Sequence, residues 1–119
     1  MWGVFVRKRL KGFRCAAKGA YMLIKNEASV QVQVFLAVAV TAAGFYFEIS
    51  RTEWMLQTFA IGLVLTAEGL NTAAEKIADF VHPGFHEKIG HVKDVAAGAV
   101  CFAALAAVVI GCIVYIPKF

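Results

Sequence analysis

The chain has 119 residues, of which 61% are hydrophobic and 17% charged, and its mean hydropathy is +0.71. This composition excludes a disordered chain and argues against a water-soluble globule. Seven of the twelve Lys and Arg residues precede the first acid, Glu27, and the other five stand against all eight acids, so the net charge of +4 divides into a basic head and a body of −3. Such a division is typical of a small integral membrane protein rather than a nucleic-acid binder.

The N-terminal segment 1–25 is predicted to form an amphipathic helix that lies in the lipid headgroup plane. Apolar side chains recur every three or four positions among the basic ones, as in the series Phe13, Ala17, Ala20 and Ile24. A secretory signal peptide is the rival interpretation, because it also begins with positive charge. It would need an uninterrupted apolar core of about 7 to 15 residues, which this segment lacks, so we expect a surface helix.

Three apolar stretches follow, and each predicts a helix that crosses the membrane: 28–48, 54–79 and 93–116. The first and third stretches contain the uncharged runs 28–47 and 95–117. Both runs reach the ~20 residues needed to cross the hydrocarbon core. The middle uncharged run, 54–67, is too short to cross alone, so its helix must carry acids within or close to the bilayer.

The distribution of basic residues predicts the orientation of these helices. Cytoplasmic segments carry an excess of Lys and Arg, so the basic head is expected in the cytoplasm. The turn at 48–53 would then lie outside, the loop at 80–91 inside, and the C-terminus outside. The chain is therefore predicted to be one all-α membrane domain over residues 1–119.

The middle helix carries a stripe of polar residues. Glu68, Asn71, Glu75 and Asp79 fall at about 0°, −60°, −20° and +20° around the helix axis. Carboxylates on one face repel one another and are costly near lipid, so the stripe must face protein, water or a cation. A solvated helix end would explain Asp79 and, less well, Glu75. It does not explain Glu68, which lies about 16 Å deeper than Asp79 along the axis.

Other charged residues are predicted near the same membrane face. Lys93 and Asp94 precede a run of small residues at the start of the third span, and Glu27 starts the first span. A snorkelling lysine and a first-turn acid are the structural alternatives for these residues. Carboxylates gathered with Glu75 beside a basic helix also suit a magnesium nucleotide, because Mg²⁺ takes oxygen ligands and lysine binds phosphate.

The sequence EGLNTAAE at 68–75, the later His86 and the sequence KDVAAGAV at 93–100 form the most specific pattern in the chain. Together with the pairs Asn26-Glu27 and Glu53-Trp54, this pattern resembles the prokaryotic diacylglycerol kinase and undecaprenol kinase family. The resemblance covers nearly the whole chain.

The resemblance implies a homotrimeric helical bundle in the bacterial cytoplasmic membrane that moves the γ-phosphate of Mg-ATP to a lipid alcohol. Each subunit would have the surface helix and three spans, and its partners would be lipids and ATP rather than nucleic acid. By the matching positions, Glu68 would be the catalytic base at the lipid substrate, and Glu27 and Glu75 would hold Mg²⁺. The remaining residues of the nucleotide site would be Asn71, His86, Lys93 and Asp94.

The sequence favours undecaprenol over diacylglycerol as the lipid, because the GFYF end of the first span and the pair Glu53-Trp54 look more like the undecaprenol branch. Two other functions remain as alternatives. A small ion or proton carrier would also use intramembrane carboxylates, but its acids should be spread through the bilayer. A non-catalytic membrane subunit would use the polar stripe to bind a partner helix and would behave independently of nucleotide.

Overall fold

The computed structural model describes all 119 residues and contains four α-helices, one short 3₁₀ helix and no strand. The helices are α1 (Trp2–Asn26), α2 (Ala28–Tyr46), α3 (Arg51–Val81) and α4 (Glu87–Tyr115), followed by the 3₁₀ helix Ile116–Lys118. The molecule is flat, with extents of 49 × 48 × 22 Å. The predicted all-helical architecture is confirmed.

Two of the helices are long and apolar enough to cross a membrane by length and composition. They are α2 and the continuous segment from α4 through the 3₁₀ helix. Helix α3 is the longest, with 31 residues, but it carries the polar stripe. Its crossing of the membrane therefore stays a prediction.

The N-terminal ends of α3 and α4 extend beyond their predicted limits. Helix α3 begins at Arg51 rather than at position 54 because Ser50 and Glu53 form a capping box, in which each side chain accepts a hydrogen bond from the other residue's backbone N–H. Helix α4 begins at Glu87 rather than at position 93 because the His86 ring accepts a hydrogen bond from the backbone N–H of Lys88.

The loop between α3 and α4 is consequently shorter than predicted and spans 82–86. Pro83 favours an extended conformation for His82, which terminates α3. The short connection holds the end of α3 close to the start of α4.

Helix α1 has no buried residue. It is separated from α2 by Glu27, whose extended backbone (φ −106°, ψ 115°) interrupts the helix. Leu23 near its end lies against α3, where a Cβ added to Gly69 would be 3.2 Å from the leucine Cδ1. The rest of α1 presents its apolar and basic side chains to the surroundings, as expected of a helix that rests on a membrane surface.

Helices α3 and α4 form an antiparallel hairpin, and α2 packs against α3. Only 11 of the 119 residues are buried. Five of these follow one another at helical spacing on a single face of α3: Gln57, Ala60, Val64, Glu68 and Thr72. Glu68 is thus part of the packed face of α3, while large apolar side chains cover the outside of the bundle.

We call the end of the bundle formed by residues 40–57 and 114–119 the turn end. There Gly44 allows close packing, since a Cβ at this position would lie 2.7 Å from Cη2 of Trp54. The buried amide of Gln57 donates a hydrogen bond to the backbone carbonyl of Val40 (3.0 Å), and the Tyr115 hydroxyl donates to Gln57 Oε1 (2.5 Å). These contacts connect α2, α3 and α4 through satisfied polar groups.

Candidate functional site

The opposite end of the bundle, which we call the loop end, contains residues 23–31 and 68–94 and all seven predicted site residues. Glu68 is its most deeply placed acid, with 7% of its surface exposed. It lies one helical turn from Val64 on one side and Thr72 on the other, both of which are buried. No protein group forms an ion pair or hydrogen bond with its carboxylate. The residue as a whole is buried, but its carboxylate oxygens are not among the buried atoms that lack a partner, so they keep some exposure. An acid on a packed helix face is costly near lipid, so packing alone does not explain this residue.

One turn further along α3, Asn71 and Glu75 contact each other. The Asn71 Nδ2 donates a hydrogen bond to Glu75 Oε1 at 3.2 Å. The Asn71 Oδ1 is the one buried side-chain oxygen or nitrogen in the chain that has no hydrogen-bond partner. A buried acceptor without a donor costs about 1–3 kcal/mol. This oxygen therefore needs a donor from water, a ligand or another copy of the chain.

Lys93 and Asp79 connect α4 to α3 across the loop. The lysine Nζ donates a hydrogen bond to Asp79 Oδ1 at 2.6 Å. The neighbouring Asp94 is exposed and forms no ion pair. Sequence reasoning did not separate Asp79 from a solvated helix end. The two partners lie on different helices, and no local spacing indicates such a pair.

Glu27 lies at the joint between α1 and α2 and pairs with α3. Its Oε1 is 3.4 Å from the Nζ of Lys76, a residue that the sequence pattern did not single out. Lys76 directly follows Glu75, so the structure brings Glu27 to the same level of α3 as the predicted metal ligand.

His86 lies in the loop that follows α3, at the same end of the bundle. Its ring is exposed and lies 5.2 Å from that of His82, measured between ring centroids. His86 Nδ1 is occupied by the Lys88 backbone N–H. In the neutral ring the hydrogen is therefore on Nε2, which leaves one ring N–H as a donor.

The carboxylates of the loop end suit a hard cation in type but are not gathered into one cluster. No group of three or more His, Cys, Asp or Glu side chains lies close enough to hold a metal ion. Mg²⁺ needs no such cage, because it is commonly held by one or two carboxylates with water and substrate phosphates completing the octahedron. Glu27, Glu75 and the free Oδ1 of Asn71 are oxygen donors of the required type.

An apolar groove of about 360 Å³ runs along the bundle between α2, α3 and α4. It begins at Leu65, one turn from Glu68, and ends at Gln57 and Tyr115. Thirteen of its sixteen lining residues are hydrophobic, so hydrocarbon fits it better than a polar ligand.

Known proteins resemble this chain over most of its length. The family model described as prokaryotic diacylglycerol kinase matches residues 14–115. The chain is 36% identical over 108 residues to an undecaprenol kinase from Bacillus subtilis, covering 91% of this chain and 88% of the relative. It is 33% identical over 109 residues to a diacylglycerol kinase from Synechocystis sp., covering 91% and 62% of the two chains. It is 32% identical over 97 residues to a diacylglycerol kinase from Escherichia coli, covering 79% and 77%.

The family match includes both ends of the bundle and every predicted site residue. The predicted kinase activity is confirmed over the ion carrier and the non-catalytic subunit, since the relatives named above are lipid kinases. The chain belongs to the prokaryotic diacylglycerol kinase family and is a membrane lipid kinase, a transferase that uses ATP.

Proposed function

We propose that this chain transfers the γ-phosphate of ATP to undecaprenol, with diacylglycerol as the second candidate substrate. The relative named undecaprenol kinase supports this order, because it is 36% identical and is matched over 88% of its length. The relatives from Synechocystis and Escherichia coli named diacylglycerol kinase are 33% and 32% identical and are matched over 62% and 77% of their lengths.

The position of Glu68, an acid without an ion pair or hydrogen bond on the packed face of α3, is the observation that carries the proposed mechanism. In our proposal its carboxylate is the catalytic base and accepts the proton of the lipid hydroxyl. The hydroxyl oxygen forms a bond to the γ-phosphorus while the bond from that phosphorus to the β–γ bridging oxygen breaks, and ADP leaves. A base for a lipid hydroxyl must lie where hydrocarbon meets polar groups. Glu68 meets this requirement, because it lies between the apolar groove and the polar end of α3.

The remaining loop-end residues are proposed to bind and orient the nucleotide. Glu27 and Glu75 would hold Mg²⁺, which when bound neutralises phosphate charge during transfer. Asn71 supports this role of Glu75, since its amide holds one carboxylate oxygen and leaves the other free. Lys93, Asp94 and His86 complete the proposed nucleotide site, and Asp79 fixes the lysine ammonium beside it.

The apolar groove is proposed to hold part of the lipid tail. It starts one helical turn from Glu68, so a chain lying in it would place its hydroxyl end near the carboxylate. The groove is a channel between helices rather than a closed cavity, which suits a long isoprenoid chain that continues into the bilayer.

We further propose a homotrimer in the bacterial cytoplasmic membrane, with the N-terminus in the cytoplasm and the C-terminus outside. The small number of buried residues supports assembly, because the exposed apolar faces need lipid or other copies to cover them. The seven basic residues before Glu27 support the orientation.

A side-by-side lipid assay tests the proposed function. Purified protein in mixed micelles receives radiolabelled ATP, Mg²⁺ and an equal mole fraction of undecaprenol or diacylglycerol. We expect a higher kcat/KM with undecaprenol, and loss of all labelling when a chelator removes the metal. Preferential labelling of diacylglycerol would reverse the substrate order, and absence of a labelled product with either lipid would refute the kinase.

A further inference from the structure

The contact between Lys76 and Glu27 has no part in the mechanism described above. Glu27 interrupts the chain between α1 and α2, and 28% of its side-chain surface is exposed. Lys76 Nζ lies 3.4 Å from its Oε1, and no other group in the chain donates a hydrogen bond to this carboxylate or pairs with it. Lys76 is therefore the only basic side chain that forms an ion pair with Glu27.

The second ion pair of the loop end is built differently. Lys93 is hydrogen-bonded to Asp79 at 2.6 Å, and 39% of the lysine side chain is exposed. Lys76 has no hydrogen bond to Glu27, and 72% of its side chain is exposed. Long, exposed ion pairs are weak and are screened by salt. Of the two lysines, Lys76 is thus the one that another cation displaces more easily from its carboxylate.

We propose that Lys76 is a positioning residue that acts through Glu27 and makes metal binding depend on nucleotide. This inference rests on the proposed function, in which Glu27 is a magnesium ligand. While no nucleotide is bound, the ammonium occupies the carboxylate and repels a free divalent cation. A cation that arrives on a triphosphate brings negative charge with it, and the flexible lysine can leave Glu27 for a phosphate oxygen.

The consequence is that the site distinguishes the free cation from the same cation bound to a nucleotide. Lys76 weakens binding of the free cation and leaves binding of the metal–nucleotide complex nearly unchanged. A role confined to tying the α1–α2 joint to α3 would instead alter the stability of the fold and leave the affinity for metal as it is.

The test measures Mn²⁺ binding by electron paramagnetic resonance at low salt, with and without a non-hydrolysable ATP analogue. Lys76→Gln is expected to bind free Mn²⁺ about three- to tenfold more tightly than wild type, a gain that shrinks with added salt. In the presence of the analogue the affinities should agree within about twofold, since phosphate compensates the ammonium. Lys76→Arg, which keeps the charge, should match wild type.

Lys88→Gln is the matched control, because Lys88 is an exposed lysine of the same end that forms no ion pair. Unchanged or weaker Mn²⁺ binding by Lys76→Gln, or an equal gain in Lys88→Gln, would overturn the inference. Glu27→Gln distinguishes failure of the inference about Lys76 from failure of the proposed function. If it leaves Mn²⁺ binding at the wild-type level, Glu27 is not a metal ligand. If it weakens binding while Lys76→Gln has no effect, only the role of Lys76 fails.

Discussion

The two ends of the helical bundle use polar residues in opposite ways. At the turn end, the amide of Gln57 is satisfied by Val40 and Tyr115, and the carboxylate of Glu53 is satisfied by Ser50 and Lys118. Each of these groups has a partner within the same chain. The contacts join α2, α3 and the C-terminal 3₁₀ helix, so polar residues here contribute to the stability of the fold.

At the loop end, several polar groups lack such partners. Glu68 is buried without an ion pair or hydrogen bond, the Oδ1 of Asn71 has no donor, and Glu27 has one long, exposed contact. A buried polar atom without a partner, such as the Asn71 oxygen, is destabilising unless a ligand or another copy completes it. Under the proposed function, stability and chemistry are separated along the helices, and substitutions at the two ends should affect different measurements.

After Glu68, the largest effect at the loop end is expected for Glu75→Gln. Loss of a metal-binding carboxylate should lower the initial rate of lipid phosphorylation by at least about 100-fold, with little change in the thermal unfolding midpoint. Glu87→Gln removes an exposed acid of the same end and should retain wild-type activity. Equal activities of Glu75→Gln and Glu87→Gln would contradict the proposed role of Glu75 in the reaction.

Gly44→Ala tests the turn end. The added Cβ would lie 2.7 and 2.9 Å from two ring atoms of Trp54, so packing must shift. We expect a loss of about 1–3 kcal/mol in the free energy of unfolding, measured by denaturation in detergent. The control is Gly62→Ala, where a Cβ meets no atom within 4 Å. If both glycine variants are equally stable, the close contact with Trp54 is not important for folding.

A smaller loss in the free energy of unfolding is expected for Gln57→Leu. This substitution removes the partner of the Tyr115 hydroxyl and one donor to the Val40 carbonyl. Hydrogen bonds between membrane helices contribute about 0.6–1.7 kcal/mol. A double-mutant cycle with Tyr115→Phe should show that the two losses are not additive. Thr58→Val, on the exposed face of α3, is the control, and strict additivity in the cycle would contradict a shared network.

The smallest expected effect is a pH-dependent change in stability at Glu53, which lies just before the predicted span. The backbone N–H of Ser50 is the main cause that lowers the pKa of this carboxyl from its ordinary value of 4.5, and Lys118 adds to the effect. The resulting stability is present above pH 4.5 and is lost as the pH falls through the lowered pKa of the folded state.

The difference in unfolding midpoint between wild type and Glu53→Gln should therefore shrink as the medium is acidified below pH 4.5. Glu48→Gln, in the same turn, removes an exposed acid that forms no ion pair or side-chain hydrogen bond, and it should show no such convergence. A constant difference at all pH values would mean that the charge of Glu53 does not contribute.

The helices were predictable because their apolar runs and spacing are local properties of the sequence. Their ends were predicted less well. The Ser50–Glu53 capping box is visible in the sequence as a serine followed three positions later by a glutamate, whereas the cap provided by His86 is an unusual use of histidine. Helix α4 consequently starts earlier than its apolar run.

The polar stripe of α3 was predictable for the same reason, since four positions on one helix have fixed relative angles. Contacts between helices were not. The pairs of Lys93 with Asp79 and of Lys76 with Glu27 depend on loop length and helix packing, which no periodicity encodes. The contact of Gln57 with Tyr115 joins residues far apart in the sequence and likewise has no local signal.

The central claim is that the buried, unpaired Glu68 serves catalysis rather than folding. Comparing lipid phosphorylation by Glu68→Gln and wild type, with the unfolding midpoint recorded on the same samples, tests it most directly. We predict a decrease of about 10²–10⁴ in kcat, with an unfolding midpoint equal to or above that of wild type, because the substitution removes no ion pair or hydrogen bond. A variant that keeps its activity, or that loses activity only because it unfolds, would contradict the account.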